Sequence, residues 1–483
     1  MRTILLRRVR VIVTLFSAHA ICAGPLLAGQ TASADEMPTV SLNLSPSEEP
    51  VPALKYHLVP PPGERTKGNA ALAYYRAVVQ YQPNARASWF AKFANEKLDP
   101  WLEMPLEKLP QDQVANALRG FEAVFKELDR ASLRDHCSWE LPVESDGMET
   151  LLAEFQDLRH PARMVALRAR LQMARGDLVG ALQSLRINCQ LSRNLGQGPF
   201  IITSLIGTSV AQTNREQLET FVQQPAAPNL YWALTELPIP LVGFRLAIES
   251  EARLPEYSFP EIVQFQSRPL SRDEARRLSD RLLKRWLGIN DAGNTIEEAR
   301  ARFAVSAVAG YSADKQTLIA AGRPKDEVEK MPVEQVVWLA SYYRWQVWSQ
   351  DLVKWSFLPL PQQRAGIDRT ERRLSRFAGE RRDAPFEFIN LLPAIGAGID
   401  SLGRLDRGIA LLRIVEALRL YAHLHSGALP TSLDKIDVVP VPADPITGNP
   451  FNYRLNGDTA VLETAPAFNS KWMGRRYLIR IRK

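Results

Sequence analysis

Chemistry in this chain has few side chains to draw on. Apart from His19, the histidines are His57, His136, His160, His423 and His425. None stands in a His-Glu-x-x-His frame, which would present two ligands and a base on one helix face. His423 and His425 are two apart in a helical pattern, so they point to different faces and share no metal. Ser312 with Lys315, and Ser432 with Lys435, set a hydroxyl three residues from an amine, a spacing that suits an amine-activated nucleophile. The pattern occurs twice, and neither copy carries companion motifs. Gly207-Thr208-Ser209-Val210-Ala211 has the spacing of a serine elbow, but it lies inside a helical apolar pattern, whereas an elbow needs a strand-to-helix turn. Cys-x-x-Cys, phosphate-loop and dinucleotide-binding patterns do not occur. The 53 acids would include pairs able to act as acid and base on a glycosidic bond, and spacing singles out none of them. No catalytic, cofactor-binding or metal-ligating residue is assigned, and no cofactor is expected.

The cysteines depend on compartment. Arg2, Arg7, Arg8 and Arg10 lead into VIVTLFSAHAICAGPLLAG and then Ala32-Ser33-Ala34, so residues 1–34 are expected to be a signal peptide cleaved on export to the periplasm or beyond. The alternative is a retained anchor, against which His19, Gly24 and Pro25 interrupt the apolar run. Cys22 follows His19-Ala20-Ile21, which does not resemble a lipoprotein signal. Export leaves Cys137 and Cys189 where disulfides persist. As a candidate disulfide they would close a loop of about 50 residues, stabilising by roughly 4 kcal/mol through chain entropy. As separate thiols, Cys189 packs on a helix as a small apolar residue. The formal charge of +7 includes those four leading arginines, with no acid before Asp35, so the remainder carries +3. That is too little to argue for nucleic acid. No later run is apolar enough to span a membrane.

Hydrophobic residues at 46% and charged residues at 23% of 483 exclude wholesale disorder and allow about two or three domains. Residues 35–68 hold seven prolines and read as an extended lead-in. Asn69 is the expected cap of a helix ending at Pro83, and Val114, Leu118, Phe121, Phe125 and Leu128 form the stripe of a second. In residues 161–191 the apolar positions Val165, Leu167, Leu171, Leu178, Ala181, Leu182, Leu185 and Leu191 fall on two helical segments. Arg175-Gly176-Asp177 between them is a helix stop followed by a start, so they form an αα-hairpin. A third helix follows Gly196-Gln197-Gly198-Pro199. Residues 69–255 are therefore expected as a helical-hairpin domain, and 256–270, punctuated with the adjoining Pro255 by Pro260 and Pro269 and carrying exposed-looking aromatics, as a linker. Residues 271–425 form a second helical region, opened by a capping box at Ser271-Arg272-Asp273-Glu274. It carries helices at 295–309 and 312–321, and Trp338, Trp345, Trp348 and Trp355 on one face of a long helix, read as core in preference to a stacking platform. Seven arginines and three interleaved acids in 364–382 read as a solvated face. Residues 426–483 are expected as a small antiparallel sheet, with a hairpin at Asn456-Gly457 and a last strand alternating Tyr477, Ile479 and Ile481 with Arg476, Arg480 and Arg482. The expected fold class is mainly α: stacked helical hairpins, solenoid-like or an irregular bundle, with that small C-terminal antiparallel sheet.

Two resemblances follow from these residues. Gly176-Asp177 through Ala181, Leu182 and Leu185, with Ala169 at the small position of the first helix, is similar to part of a tetratricopeptide repeat, although Asn188 departs from it. LRLYAHLHSGALPTSLDKI followed by ADPITGNPFNYRLNGDTAVLE resembles the tail of the major pseudopilins of type II secretion. That resemblance implies the hairpin alone: AFNSKWMGRR stands where the pilin calcium loop would follow and has no acidic cluster. Taken whole, the chain resembles exported bacterial proteins of unassigned function that join a helical body to such a tail. The expected function is a non-enzymatic scaffold or interaction module of the cell envelope, partnered by another envelope or exported protein, with its oligomeric state open. The alternatives are an all-helical enzyme acting on envelope or extracellular polysaccharide, and an accessory component of a secretion apparatus.

Overall fold

The computed structural model describes residues 37–290, 295–380, 386–392, 395–464 and 474–482. The expected signal segment, 1–34, lies outside them, as does most of AFNSKWMGRR. The fold is mainly helical, with a small, mostly antiparallel four-stranded sheet and a separate parallel pair of short strands. In chain order the longer helices are α1 (Ala70–Ala85), α2 (Glu122–Ser132), α3 (Arg159–Ala174), α4 (Leu178–Leu195), α5 (Ile201–Phe221), α6 (Arg272–Asn290), α7 (Ile296–Ala320), α8 (Val333–Val353), α9 (Leu360–Glu380) and α10 (Ile395–Leu424). The strands are β1 (Thr39–Leu44), β2 (Thr66–Asn69), β3 (Arg134–His136), β4 (Asn452–Asn456), β5 (Thr459–Glu463) and β6 (Arg476–Ile481). The chain divides into two compact units, each made of separate stretches. Among the described residues, the larger holds 37–139, Glu154–Phe244 and 398–482, and the smaller holds Glu140–Ala153 and Arg245–Ala397.

In the larger unit α1 packs on α2, α3 on α4, and α5 on α4. Asn69 caps α1, its side chain accepting from the Ala71 amide at 3.0 Å. The helix does not end at Pro83 as expected. It runs through to Ala85 with Pro83 in its last turn, forgoing the bond that an N–H there would make to the carbonyl four residues earlier. Gly176, at φ +77, stops α3, and Asp177 caps α4 by accepting from Gly180 N–H at 2.9 Å. A Cβ on Gly207 would lie 2.6 Å from the Ser192 carbonyl oxygen, so a bare glycine sets how closely α5 lies on α4. From residue 398 on, α10 is apolar nearly all round: Leu405, Leu411, Leu412, Ile414, Val415 and Leu418 are fully buried, as expected of a central helix. Among its buried charges, Arg419, Glu416 and Arg407 are paired. Arg419 meets Glu416 at 2.9 Å and donates to the carbonyls of Ser45 and Ala227, while Arg407 forks onto Asp444 at 3.0 and 2.6 Å.

The four-stranded sheet runs β1-β6-β5-β4. Three strands are the expected antiparallel ones, with Asn456 opposite Thr459 and Gly457 at φ +59 in the turn. The fourth is not C-terminal at all. β1, from the proline-rich lead-in, pairs parallel with β6, Thr39 opposite Arg476 and Leu44 opposite Ile481. Leu42, Leu44, Ala460, Leu462, Tyr477 and Ile479 form the buried face, fully hidden from solvent. The sheet is pinned to α5 by Glu219, which accepts two hydrogen bonds from Arg475 at 2.7 and 2.6 Å and one from the Tyr477 hydroxyl.

The smaller unit corrects two expectations. Residues 256–270 are no linker: Leu254–Ser258 and Glu261–Ser267 are helical, and Phe259, Ile262 and Phe265 are fully buried. Pro255 and Pro260 begin short helices instead of interrupting the chain, and Phe259 and Phe265, which looked exposed, face inward. The expected break near 310 is absent, α7 being continuous to Ala320 and stopped by Gly322 at φ +95. The capping box stands, Ser271 N–H donating to Glu274 Oε2 at 2.9 Å and Glu274 N–H to Ser271 Oγ at 3.3 Å. Trp338 and Trp345 are buried, the former stacked on Phe303 at 5.0 Å. Trp348 and Trp355 are half-buried, beneath Arg373 at 5.4 Å and Arg369 at 5.3 Å.

Candidate functional site

The residues singled out for reactive chemistry are dispersed. His57 bonds Glu236 at 2.7 Å, and His136 bonds Asp135 at 2.8 Å. His160 lies among Tyr81 and Phe90, where burial and then Arg159 hold its imidazole below the ordinary value. His425 turns back onto the Tyr421 carbonyl at 2.8 Å, and His423 is exposed. Ser209 is in the middle of α5, not on a turn, because Gly207 serves helix packing. Lys315 pairs with Glu329 at 2.6 Å. Cys137 and Cys189 are not joined: both are buried free thiols. The candidate disulfide gives way to apolar packing, with Asn214 Nδ2 3.1 Å from Cys189 Sγ and burial pushing each thiol up to about 12. Among the described residues, no three of His, Cys, Asp and Glu gather as metal ligands.

Two perturbed carboxyls have structural settings. Burial acts to raise Glu219, but Arg215 and Arg475 outweigh it and hold the carboxylate below its usual range. Its oxygens are engaged in fixing the sheet to α5. Burial pushes Asp406 up to about 7, and its one hydrogen bond among the described residues comes from Leu241 N–H at 3.3 Å.

Among the described residues, a cleft of about 520 Å3 lies in the larger unit between α2 and the α3/α4 hairpin. Its size is in the range that takes a small molecule or a few residues of peptide. Each helix presents residues a turn apart: Glu122, Lys126 and Asp129 from α2, Arg168 and Gln172 from α3, and Gly180, Gln183 and Ser184 from α4. Gly180 keeps the floor open, since a Cβ there would lie 2.6 Å from the Gln172 side chain. Arg168 is the organising group. Its guanidinium lies over the Phe125 ring, 4.5 Å from the centroid, and its Nε donates to Ser184 Oγ at 3.0 Å. Ser184 is fully buried and is itself fixed by the Gln172 amide at 2.7 Å. Across the cleft Gln183 donates to Asp129 Oδ1 at 2.8 Å. Burial pulls Arg168 below its ordinary value, opposed by the Asp129 and Glu122 carboxylates. The arrangement can hold a polar or charged group, and it offers no activated nucleophile.

None of these residues stands out in the sequence, where their apolar neighbours Leu167, Leu171 and Leu185 dominate the pattern. The signal that could have found them is Arg168 and Gln172 at i, i+4 on a helix whose hairpin partner carries Ser184, polar positions where two helices pack. Comparison with protein families, with curated proteins and with solved structures finds no match to this chain.

Proposed function

We propose that this chain is an exported, non-enzymatic scaffold of the cell envelope, and that its helical hairpins dock a segment of another exported protein in the cleft between α2, α3 and α4. The observation that carries the reading is the cleft itself, a recess in which apolar surface is set with the polar side chains of three packed helices. Stacked hairpins commonly leave such concavities at their junctions, and rigid helices hold the lining side chains in place without a partner's help. A photo-crosslinking residue at exposed Gln183, in the chain expressed in an exporting cell, tests this. The expected result is a discrete adduct with an envelope protein that Ala123→Trp, which fills the cleft from exposed Ala123, abolishes. Adducts indifferent to that substitution, or turnover of cell-wall or extracellular glycans by the purified chain, would refute the reading.

A second reading, an accessory of a secretion apparatus, draws on the tail. The stretch that resembles a pseudopilin tail folds back on itself, with the Tyr453 hydroxyl donating to the Pro430 carbonyl at 2.8 Å, and is tied to α10 where Arg407 holds Asp444. Co-purification of secretion components that depends on residues 426–483 supports it, and co-purification without any such component counts against it.

A further inference from the structure

We propose that the cleft recognises a carboxylate, carried on a peptide segment of the partner and received by the guanidinium of Arg168. The inference rests on the docking reading above and adds the chemistry of what docks. Arg168 is fixed in plane and position before any ligand arrives, by the Phe125 ring beneath it, by Ser184 at its Nε, and by Gln172 behind Ser184. Its two terminal nitrogens have neither a hydrogen bond nor an ion pair with any described residue, although the side chain is only partly exposed and lines the cleft. The charge is thus partly desolvated and offset only at a distance, by Asp129 and Glu122, and the fork left without a direct partner among the described residues matches the two oxygens of a carboxylate.

The surroundings narrow the choice of anion. Asp129 and Glu122 are close enough to act on Arg168 electrostatically, yet neither forms an ion pair with it. Their negative charge repels a dianionic phosphate or a polyanion more than it repels a single carboxylate flanked by amines or peptide N–H groups. Lys126, on the same face of α2, adds a second cation. A peptide supplies that mixture, from an acidic side chain or from its own C-terminus.

A random-peptide library displayed on phage and selected against the full chain provides the probes. Binders are resynthesised with free or amidated C-termini, and with each Asp or Glu changed to Asn or Gln. Binding that Ala123→Trp abolishes is expected to weaken about tenfold or more in R168Q and less in R168K, a loss equivalent to about 1.4 kcal/mol or more. It is also expected to fail when one carboxylate is neutralised, the terminus or a side chain, and that arm identifies the source. Should R168Q not fold, the neutralised peptides on the unaltered chain decide the same point. Peptides blocked by Ala123→Trp but indifferent to R168Q and to neutralisation would overturn the carboxylate assignment and leave the docking reading intact. Competition by inorganic phosphate as strong as by acetate would do the same. Absence of any binder sensitive to Ala123→Trp would overturn both.

Discussion

Asp406 gives a quantitative test of how the larger unit is held together. It lies on α10 at 8% exposure, and among the described residues its carboxylate accepts one hydrogen bond, from Leu241 N–H at 3.3 Å. Burial pushes the carboxyl up to about 7 from an ordinary value of 3.8. Below about pH 4 the native and unfolded chains both hold this proton, and the group is neutral toward stability. Between about pH 4 and pH 7 the native state keeps a proton that the unfolded chain has released, so stability falls as pH rises, by about 1.4 kcal/mol for each tenfold drop in proton concentration. Carried across that whole window, the loss reaches about 4 kcal/mol by pH 8. Asp406→Asn removes the ionisation and leaves a side-chain oxygen for Leu241 N–H. The variant is expected to match the parent near pH 4 and to exceed it by about 4 kcal/mol at pH 8. Urea unfolding of both proteins at pH 4.5, 6 and 8, followed by far-ultraviolet circular dichroism, measures the difference, in which other titrating groups cancel. Parallel pH profiles, or a variant less stable at pH 8, would refute the assignment of Asp406 as a buried, uncompensated acid.

Three further outcomes are expected. Asp444→Ala removes the forked ion pair from Arg407, which is 2% exposed, and should destabilise by about 3–5 kcal/mol in urea, whereas Arg407→Met with Asp444→Leu should recover much of that. Gly207→Ala places a methyl group 2.6 Å from the Ser192 carbonyl, so α4 and α5 must part, at about 1–3 kcal/mol by thermal or urea unfolding. With both thiols buried and pushed up to about 12, Cys137 and Cys189 should resist iodoacetamide at pH 8 in the native chain and react together on unfolding, while a peptide map shows no link between them.

The helical body was legible because its signals are local. Asn69, Gly176-Asp177 and Ser271-Glu274 each satisfy or terminate a helix end with groups a few residues away, and each does so in the structure. Periodicity likewise picked out Val114, Leu118, Phe121, Phe125 and Leu128 as buried, although a 3-10 turn at Arg119–Phe121 divides them between Gln111–Leu118 and α2 where one helix was expected. It failed where the meaning of a residue lies across the fold. Phe259 and Phe265 looked exposed because prolines surround them in sequence, yet they sit inside the smaller unit. The cleft failed to register for the same reason: Arg168, Ser184 and Asp129 are unremarkable on three separate helices, and only packing brings them to one recess.

The proline-rich lead-in is the plainest case of position outweighing composition. Its strand pairs with the last strand of the sheet, Arg476 N–H donating to the Pro38 carbonyl at 2.9 Å and Arg482 N–H to that of Leu44 at 2.7 Å. Beyond β1 the Ser45 carbonyl accepts from Arg419 at 3.0 Å, Glu49 from the Trp232 indole at 2.6 Å, and His57 reaches Glu236 at 2.7 Å. Seven prolines make this stretch extended and stiff before folding, so less conformational entropy is lost when it is laid down. The same stiffness that reads as a linker therefore suits a strap. The buried charges complete the logic, because Arg419 and Glu219 each tie an apolar helix to a segment far away in the chain, and an unpaired charge in either place is costly. That penalty disfavours alternative seatings of the strap and the sheet, which hydrophobic burial alone, being non-directional, would tolerate.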